Sequence, residues 1–160
     1  MNSYPLVFGT RDAVAGRGFL AGVSINGRAL LELEDGEWWV GGVQPAGIMG
    51  SGESPEAAYK DYRENLRLVL FDSAHLTDSF EAFERDVLAL MDQINHAADE
   101  RWEEARSLIR RGAAVEEGFA AALPRITKTV PCSVTVVRLD KTSHEFKPSD
   151  NKPDKLLTAA

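Results

Sequence analysis

Along the chain the hydrophobic pattern has a period of two from residue 19 to 43 and a helical period from 55 to about 111. Three short runs, "FLAGVSI" (19–25), "RALLELE" (28–34) and "EWWVGGV" (37–43), carry the strand signal. Asn26-Gly27 and Asp35-Gly36 separate them. Both dipeptides tolerate the positive φ of a tight type I′ turn, so the runs read as a three-stranded antiparallel meander. Leu31 and Leu33 alternate with Glu32 and Glu34, which predicts one buried face on the middle strand. Trp38 and Trp39 are neighbours and must point to opposite faces. Residues 1–17 read as a mostly irregular lead-in.

After Val43, Pro45 and Gly47 break the strand, and Ile48 with Met49 forms a short further one. Ser54 is a good N-cap, Pro55 suits the first helical position and Glu56 suits the positive end of the dipole. A helix over 55–71 follows, with Ala58, Tyr62, Leu66 and Val69 or Leu70 as its buried stripe. Lys60, Arg63, Glu64 and Arg67 fall on its other side. A second helical segment begins near Asp78, which has capping-box spacing to Glu81. Phe80, Phe83, Val87, Leu90, Met91 and Ile94 form its apolar stripe, and Trp102, Ala105 and Leu108 or Ile109 continue it.

No Gly or Pro interrupts residues 79–111. One straight helix of that length would reach roughly 50 Å, more than a small domain is wide. It therefore breaks near Asn95-His96, or projects and pairs with a second copy. "AAVEEGFAAAL" (113–123) reads as a further short helix. Residues 133–139 read as a final strand, with Pro131 at its start or at an edge, and residues 141–160 as a polar, mobile tail.

Length and composition fit a single domain over 1–140, with a helical insertion at about 78–123. A net charge of −7 argues against unassisted nucleic-acid binding and suits a basic partner. Cys132 is the single cysteine, so no internal disulfide forms. His75, His96 and His144 lack metal spacing to a second His or Cys, and no metal or cofactor is expected. No apolar run reaches the length of a membrane helix, and the N-terminus lacks a secretory pattern. A cytoplasmic protein is expected.

Segment 41–52, with Gly41, Gly42, Gly47, Gly50 and Gly52, invites a phosphate-loop reading. It lacks the Gly-Lys-Ser/Thr ending and the three-glycine dinucleotide spacing. Glycines here serve tight turns and close packing. The acidic residues Glu32, Glu34, Asp61, Glu64 and Asp140 do not assemble into a two-metal set on paper. Catalysis is not the expected role.

The order of elements in "ALLELEDGEWWVGGVQPAGIMGSGESPEAAYKDYRENLRLVLFDSA" resembles the HicB-like antitoxin family. That family's pattern is a strand, an acidic-Gly turn, an aromatic strand, a Pro-x-x-Gly segment with a short strand, and a Gly-x-Ser/Thr lead into an Ala-rich helix; the last two are matched here by Gly47–Gly50 and Gly52–Phe71. Ser54, Glu56, Ala57, Ala58 and Leu66 fall at the helix start and stripe. "LPRITKTVPCSVTVVRLD" resembles the family's link into a last strand. The resemblance implies an α/β (α+β) domain of partial ribonuclease-H-like form. It also implies a HicA-like toxin, small, basic and RNA-cleaving, as the partner. The strand 19–25 and the insertion depart from the family pattern. So does the want of a C-terminal DNA-binding module, which puts operator binding in doubt.

On this reading Trp38, Trp39 and Gln44 are the candidate partner contacts. Phe83, Val87, Leu90, Met91 and Ile94 are candidates for self-association, with ordinary core packing as their alternative. The rival readings are a solitary oligomeric assembly protein, and a ligand-binding protein or enzyme using segment 41–52.

Overall fold

The computed structural model describes residues 3–112, 125–126, 131–141 and 155–159. The chain is α+β, with strands β1 (Ser3–Gly16), β2 (Phe19–Glu34), β3 (Glu37–Gln44) and β4 (Met49–Gly52) leading into three helices. These are α1 (Pro55–Leu76), α2 (Phe80–Met91) and α3 (His96–Arg110), followed by β5 (Arg125–Ile126), β6 (Ser133–Arg138) and β7 (Lys155–Ala159). The described strands form one sheet in the order β4-β3-β2-β1-β7-β5, with β6 also paired to β2. All pairings are antiparallel except β5 with β7.

The expected lead-in is instead the 14-residue strand β1, paired with β2 along its whole length. The turn between them lies at Arg17-Gly18, where Gly18 takes φ 77°. Asn26-Gly27 is not a turn: β2 runs straight through it. Gly27 is needed there for close approach. A Cβ would lie 2.5 Å from the Phe8 ring and 2.6 Å from the Gln44 carbonyl oxygen. Asp35-Gly36 is the expected tight turn, with φ of 50° and 81° at its two residues.

β2 has different partners on its second edge. Residues from Ala21 to Asn26 pair with β6, and those from Arg28 to Glu34 pair with β3, with a register shift at Arg28/Ala29. β3 and β6 thus meet end to end beside one long strand.

Odd positions of β2 and even positions of β1 face α1 and α2. Tyr4, Leu6, Phe8, Val14, Phe19, Val23, Ile25 and Leu31 join the stripe Ala58, Tyr62, Leu66, Leu70 and Ala74 in the main core. That stripe continues the i, i+4 spacing past residue 71, so α1 ends at Leu76 rather than Phe71. Leu33, expected to be buried, is 38% exposed near the hairpin tip. Ser54 caps α1 as expected, accepting from the Ala57 amide. Gly50 and Gly52 let α1 lie against β4; a Cβ on Gly50 would stand 2.1 Å from the Tyr62 nitrogen. Asp61 accepts from the Ser51 amide and Asn65 donates to the Met49 carbonyl, so α1 side chains close the outer edge of β4.

The segment 79–111 is two helices. Ser79, not Asp78, caps α2, and Asn95 caps α3 by accepting from the Ala98 amide. The link between them is tied to the end of β3 and the loop after it by Gln44 Nε2 to the Met91 carbonyl (2.7 Å), Ala46 N to Gln93 O and Asn95 N to Val43 O. α3 then packs on the opposite face of the sheet. There Ala98 and Trp102 meet Val7, Leu30, Val43 and Leu157, and the Trp102 indole donates to the Leu6 carbonyl. Residues 79–111 therefore do not project. They supply a helix to each face.

Residues 155–159 of the expected tail add β7 to β1, with Thr158 fully buried. The expected strand at 133–139 is β6, ending at Arg138. The expected helix at 113–123 lies outside the described residues. Among the described residues no helix is long and apolar enough to cross a membrane.

One polar pair sits inside the main core. Asp12 on β1 and Arg63 on α1 are 6% and 7% exposed, and Arg63 Nη2 donates to Asp12 Oδ1 at 2.8 Å. Arg63 was expected on the polar side of α1; its charge is tolerated inside because Asp12 meets it there. Arg63→Met should cost about 1–3 kcal/mol in urea unfolding, because it removes the buried 2.8 Å partner of Asp12 and leaves only the part-exposed Arg67, 3.4 Å from the same oxygen, to balance the carboxylate. The double variant Asp12→Leu/Arg63→Met should regain most of that loss. Equal losses in the single and double variants would mean that the pair's charge balance is not what matters.

Candidate functional site

The sheet alternation sorts the two tryptophans. Trp38 points to the main core, 6.2 Å from the Tyr4 ring between centroids. Trp39 points to the α3 face, beside Glu32 on β2 and Ser51 on β4. α3 covers the part of that face built from Val7, Leu30 and Val43. Beyond it, towards the hairpin tip and β4, lies a groove of about 420 Å³.

The groove draws on four elements. β2 supplies Leu30, Glu32 and Glu34; β3 supplies Trp39 and Gly41; the β3–β4 region supplies Ile48 and Met49; α3 supplies Asn95, Ala98 and Arg101. Its volume is in the range of small-ligand sites, and its mixture of apolar wall and few charged groups is typical of a recognition surface. Gly41 and Gly47 have open space where a Cβ would stand. Met49 is 55% exposed at the rim.

Glu32 is the most constrained carboxylate in the groove. Ser3 Oγ donates to its Oε2 at 3.1 Å, and the Arg101 guanidinium lies 3.4 Å from its Oε1. Glu34, Asp35 and Glu37 are exposed at the hairpin tip, so the rim is acidic on that side.

Of the expected partner contacts, only Trp39 lies in this groove. Trp38 faces the core, and the Gln44 side chain is spent on the Met91 carbonyl. Of the expected self-association stripe, Phe83, Val87 and Met91 are 0%, 1% and 4% exposed, and Leu90 packs against the same core. Only Ile94, 36% exposed, reaches the surface. The stripe considered for self-association is, apart from Ile94, the inward face of α2 on the sheet, as its core-packing alternative held. Sequence reasoning missed Arg101 and Met49. An apolar residue beside a glycine run was the one local sign of Met49; Arg101 carries none, because only the placement of α3 brings it to Glu32.

The acidic residues considered for a metal are dispersed. Asp61 is held by Ser51, Glu64 by Arg67 and Asp140 by Arg138. Among the described residues no group of three or more His, Cys, Asp or Glu is arranged to hold a metal ion. His75 bonds the Phe71 carbonyl, and His144 lies outside the described residues.

Where β3 gives way to β6, Arg28 pairs with Asp99 (3.1 Å) and lies 4.9 Å from the centre of the Trp102 ring. Half-buried Cys132 is close by. Burial pushes its thiol pKa up, and the Arg28 guanidinium offsets this only in part. Burial also pushes the Tyr62 phenol up. Neither group is prepared to act as a nucleophile or base near neutral pH.

Two outcomes follow. Trp38→Ala should cost about 2–3 kcal/mol in denaturant unfolding, and Trp39→Ala about 1 kcal/mol or less, because only Trp38 packs into the core. Cys132 should react with iodoacetamide more slowly at pH 7.5 than a free peptide thiol, and the rate should still be rising above pH 9, since its thiolate forms late. A rate that levels off below pH 8.5 would contradict the raised pKa. No family model, curated protein or solved structure matches this chain.

Proposed function

We propose that this protein is a HicB-like interaction module that works in the cytoplasm as an antitoxin, covering a small, basic, RNA-cleaving toxin. The observation that carries the reading is the open sheet face around Trp39. It combines a groove of about 420 Å³ with an acidic hairpin tip, in a chain of net charge −7. A half-buried aromatic residue among apolar neighbours is the usual anchor of a protein interface, and carboxylates around it favour a cationic partner. The stretch that carries the family resemblance runs through β2, β3, β4 and α1 without interruption, which supports the same reading.

A solitary self-assembling protein is the second reading. It is favoured by the exposed Leu68, Val69, Phe71 and Leu76 of α1 and Leu88 of α2. On that reading the outer face of the two helices, not the groove, is the contact surface.

The two are separated by co-expressing the chain with the product of the adjacent gene. An antitoxin relieves the growth arrest that this product causes alone. Trp39→Ala and Gly41→Leu should each abolish relief; the second fills the open space above the groove floor. Relief that survives both changes places the contact outside the groove, and an adjacent product that is harmless removes the antitoxin reading. A stable oligomer in sedimentation that Leu68→Glu dissociates would then establish the second.

A further inference from the structure

The groove is specific about the charge of what it holds. Its apolar surface is chiefly Met49, 55% exposed, with the buried Leu30 and Ile48 behind it; its aromatic wall is Trp39, and its carboxylates are Glu32 and Glu34. This suits a side chain with a long apolar stem and a cationic head, with the stem along the apolar wall and the head on the carboxylates. Among the described residues, an anion would find Arg101 as the one cationic group lining the groove, and that guanidinium already faces Glu32 at 3.4 Å.

Arg101 itself shows what the wall accepts. It is a guanidinium on the Glu32 carboxylate, with 55% of its side chain exposed. Exposed ion pairs contribute little stability, so a second cation can displace it. Ser3 Oγ donates to the other oxygen of Glu32, so the carboxylate keeps one partner when Arg101 leaves.

We propose that the groove receives an arginine or lysine side chain from a basic segment of the partner protein, which replaces Arg101 on Glu32 and lies against Trp39. The proposal rests on the interaction reading above and specifies the chemistry of the contact. Arg101 then acts as an internal competitor that occupies the carboxylate until the partner arrives.

The test uses the full chain and simple probes. The Trp39 indole N–H resonance, assigned with Trp39→Phe, is followed by NMR during titration with N-acetyl-arginine amide, N-acetyl-citrulline amide and N-acetyl-glutamate amide. The arginine probe should give a saturable shift, about threefold to tenfold tighter than its uncharged citrulline counterpart. Arg101→Ala should tighten arginine binding by about twofold or more, by removing the competitor. Glu32→Gln/Glu34→Gln should abolish the shift, while Glu84→Gln on α2 should leave it unchanged. Unmoved Trp38 and Trp102 resonances report that each variant is folded.

Equal binding of arginine and citrulline overturns the proposal. So does a loss of binding in Arg101→Ala with the glutamate probe preferred, which would make the groove an anion site. No shift with any probe overturns it as well. The same variants in the co-expression assay separate the two claims. If Glu32→Gln/Glu34→Gln still neutralises the toxin, this inference fails and the antitoxin reading stands. If the wild type neutralises nothing yet binds the arginine probe, the antitoxin reading fails and the cation site stands.

Discussion

The ladder between β1 and β2 is the constraint on which the rest of the structure depends. Each residue of β1, from Ser3 to Gly16, has a partner on β2. Every other described strand hangs on this pair, directly or through one neighbour. A paired ladder this long twists but cannot shift by one residue without turning every buried side chain outward. It therefore fixes which residues of β2 face α1 and which face α3. That choice puts Leu31 and Ile25 in the main core, and Leu30 and Glu32 on the side of the groove.

The second edge of β2 is shared, and the sharing has consequences. Where β3 stops and β6 begins, the sheet is held by Gly27, by Arg28 and by the link from α2 to α3. Gln44, Ala46 and Val43 hold that link with three hydrogen bonds. This docking sends α3 to the far side of the sheet. From there Trp102 reaches the Leu6 carbonyl, and Arg28 lies against the indole between Asp99 and Glu103. The groove exists because α3, so placed, covers only part of its face. A helix set closer to β4 would have buried Trp39.

The main core holds a charged pair among apolar residues. Asp12 interrupts the column Tyr4, Leu6, Phe8, Val14 on β1, and Arg63 comes down from α1 to meet it. Such a pair adds little net stability over an apolar substitute, but it is intolerant of mispairing. It ties β1 to α1 across 51 residues of chain and so helps to place the helix, with Arg67, one turn further along α1, reaching the same carboxylate oxygen at 3.4 Å. The glycines at 50 and 52 act to the same end from the other side, by admitting α1 only where no Cβ stands in its way.

The sequence alone determined the features that local stereochemistry governs. Asp35-Gly36 forms its turn because both residues accept positive φ. Ser54 starts α1 because its side chain satisfies a free amide. Trp38 and Trp39 oppose each other because a strand alternates. The β-branched run at 133–138 extends for the same kind of reason. Tertiary structure decided what depends on a distant neighbour. Asn26-Gly27 has the composition of a turn, yet it stays extended, because β1 lies alongside and the Phe8 ring fills the place of a side chain. Arg63 looks like a surface residue until Asp12 is set opposite it. The stripe of α2 has the same spacing whether it meets a sheet or a second copy, and only packing chose the sheet. The groove could not be read from any one stretch. Trp39, Glu32, Met49 and Arg101 lie on four separate elements, and what joins them is the path of the chain between the two faces of the sheet.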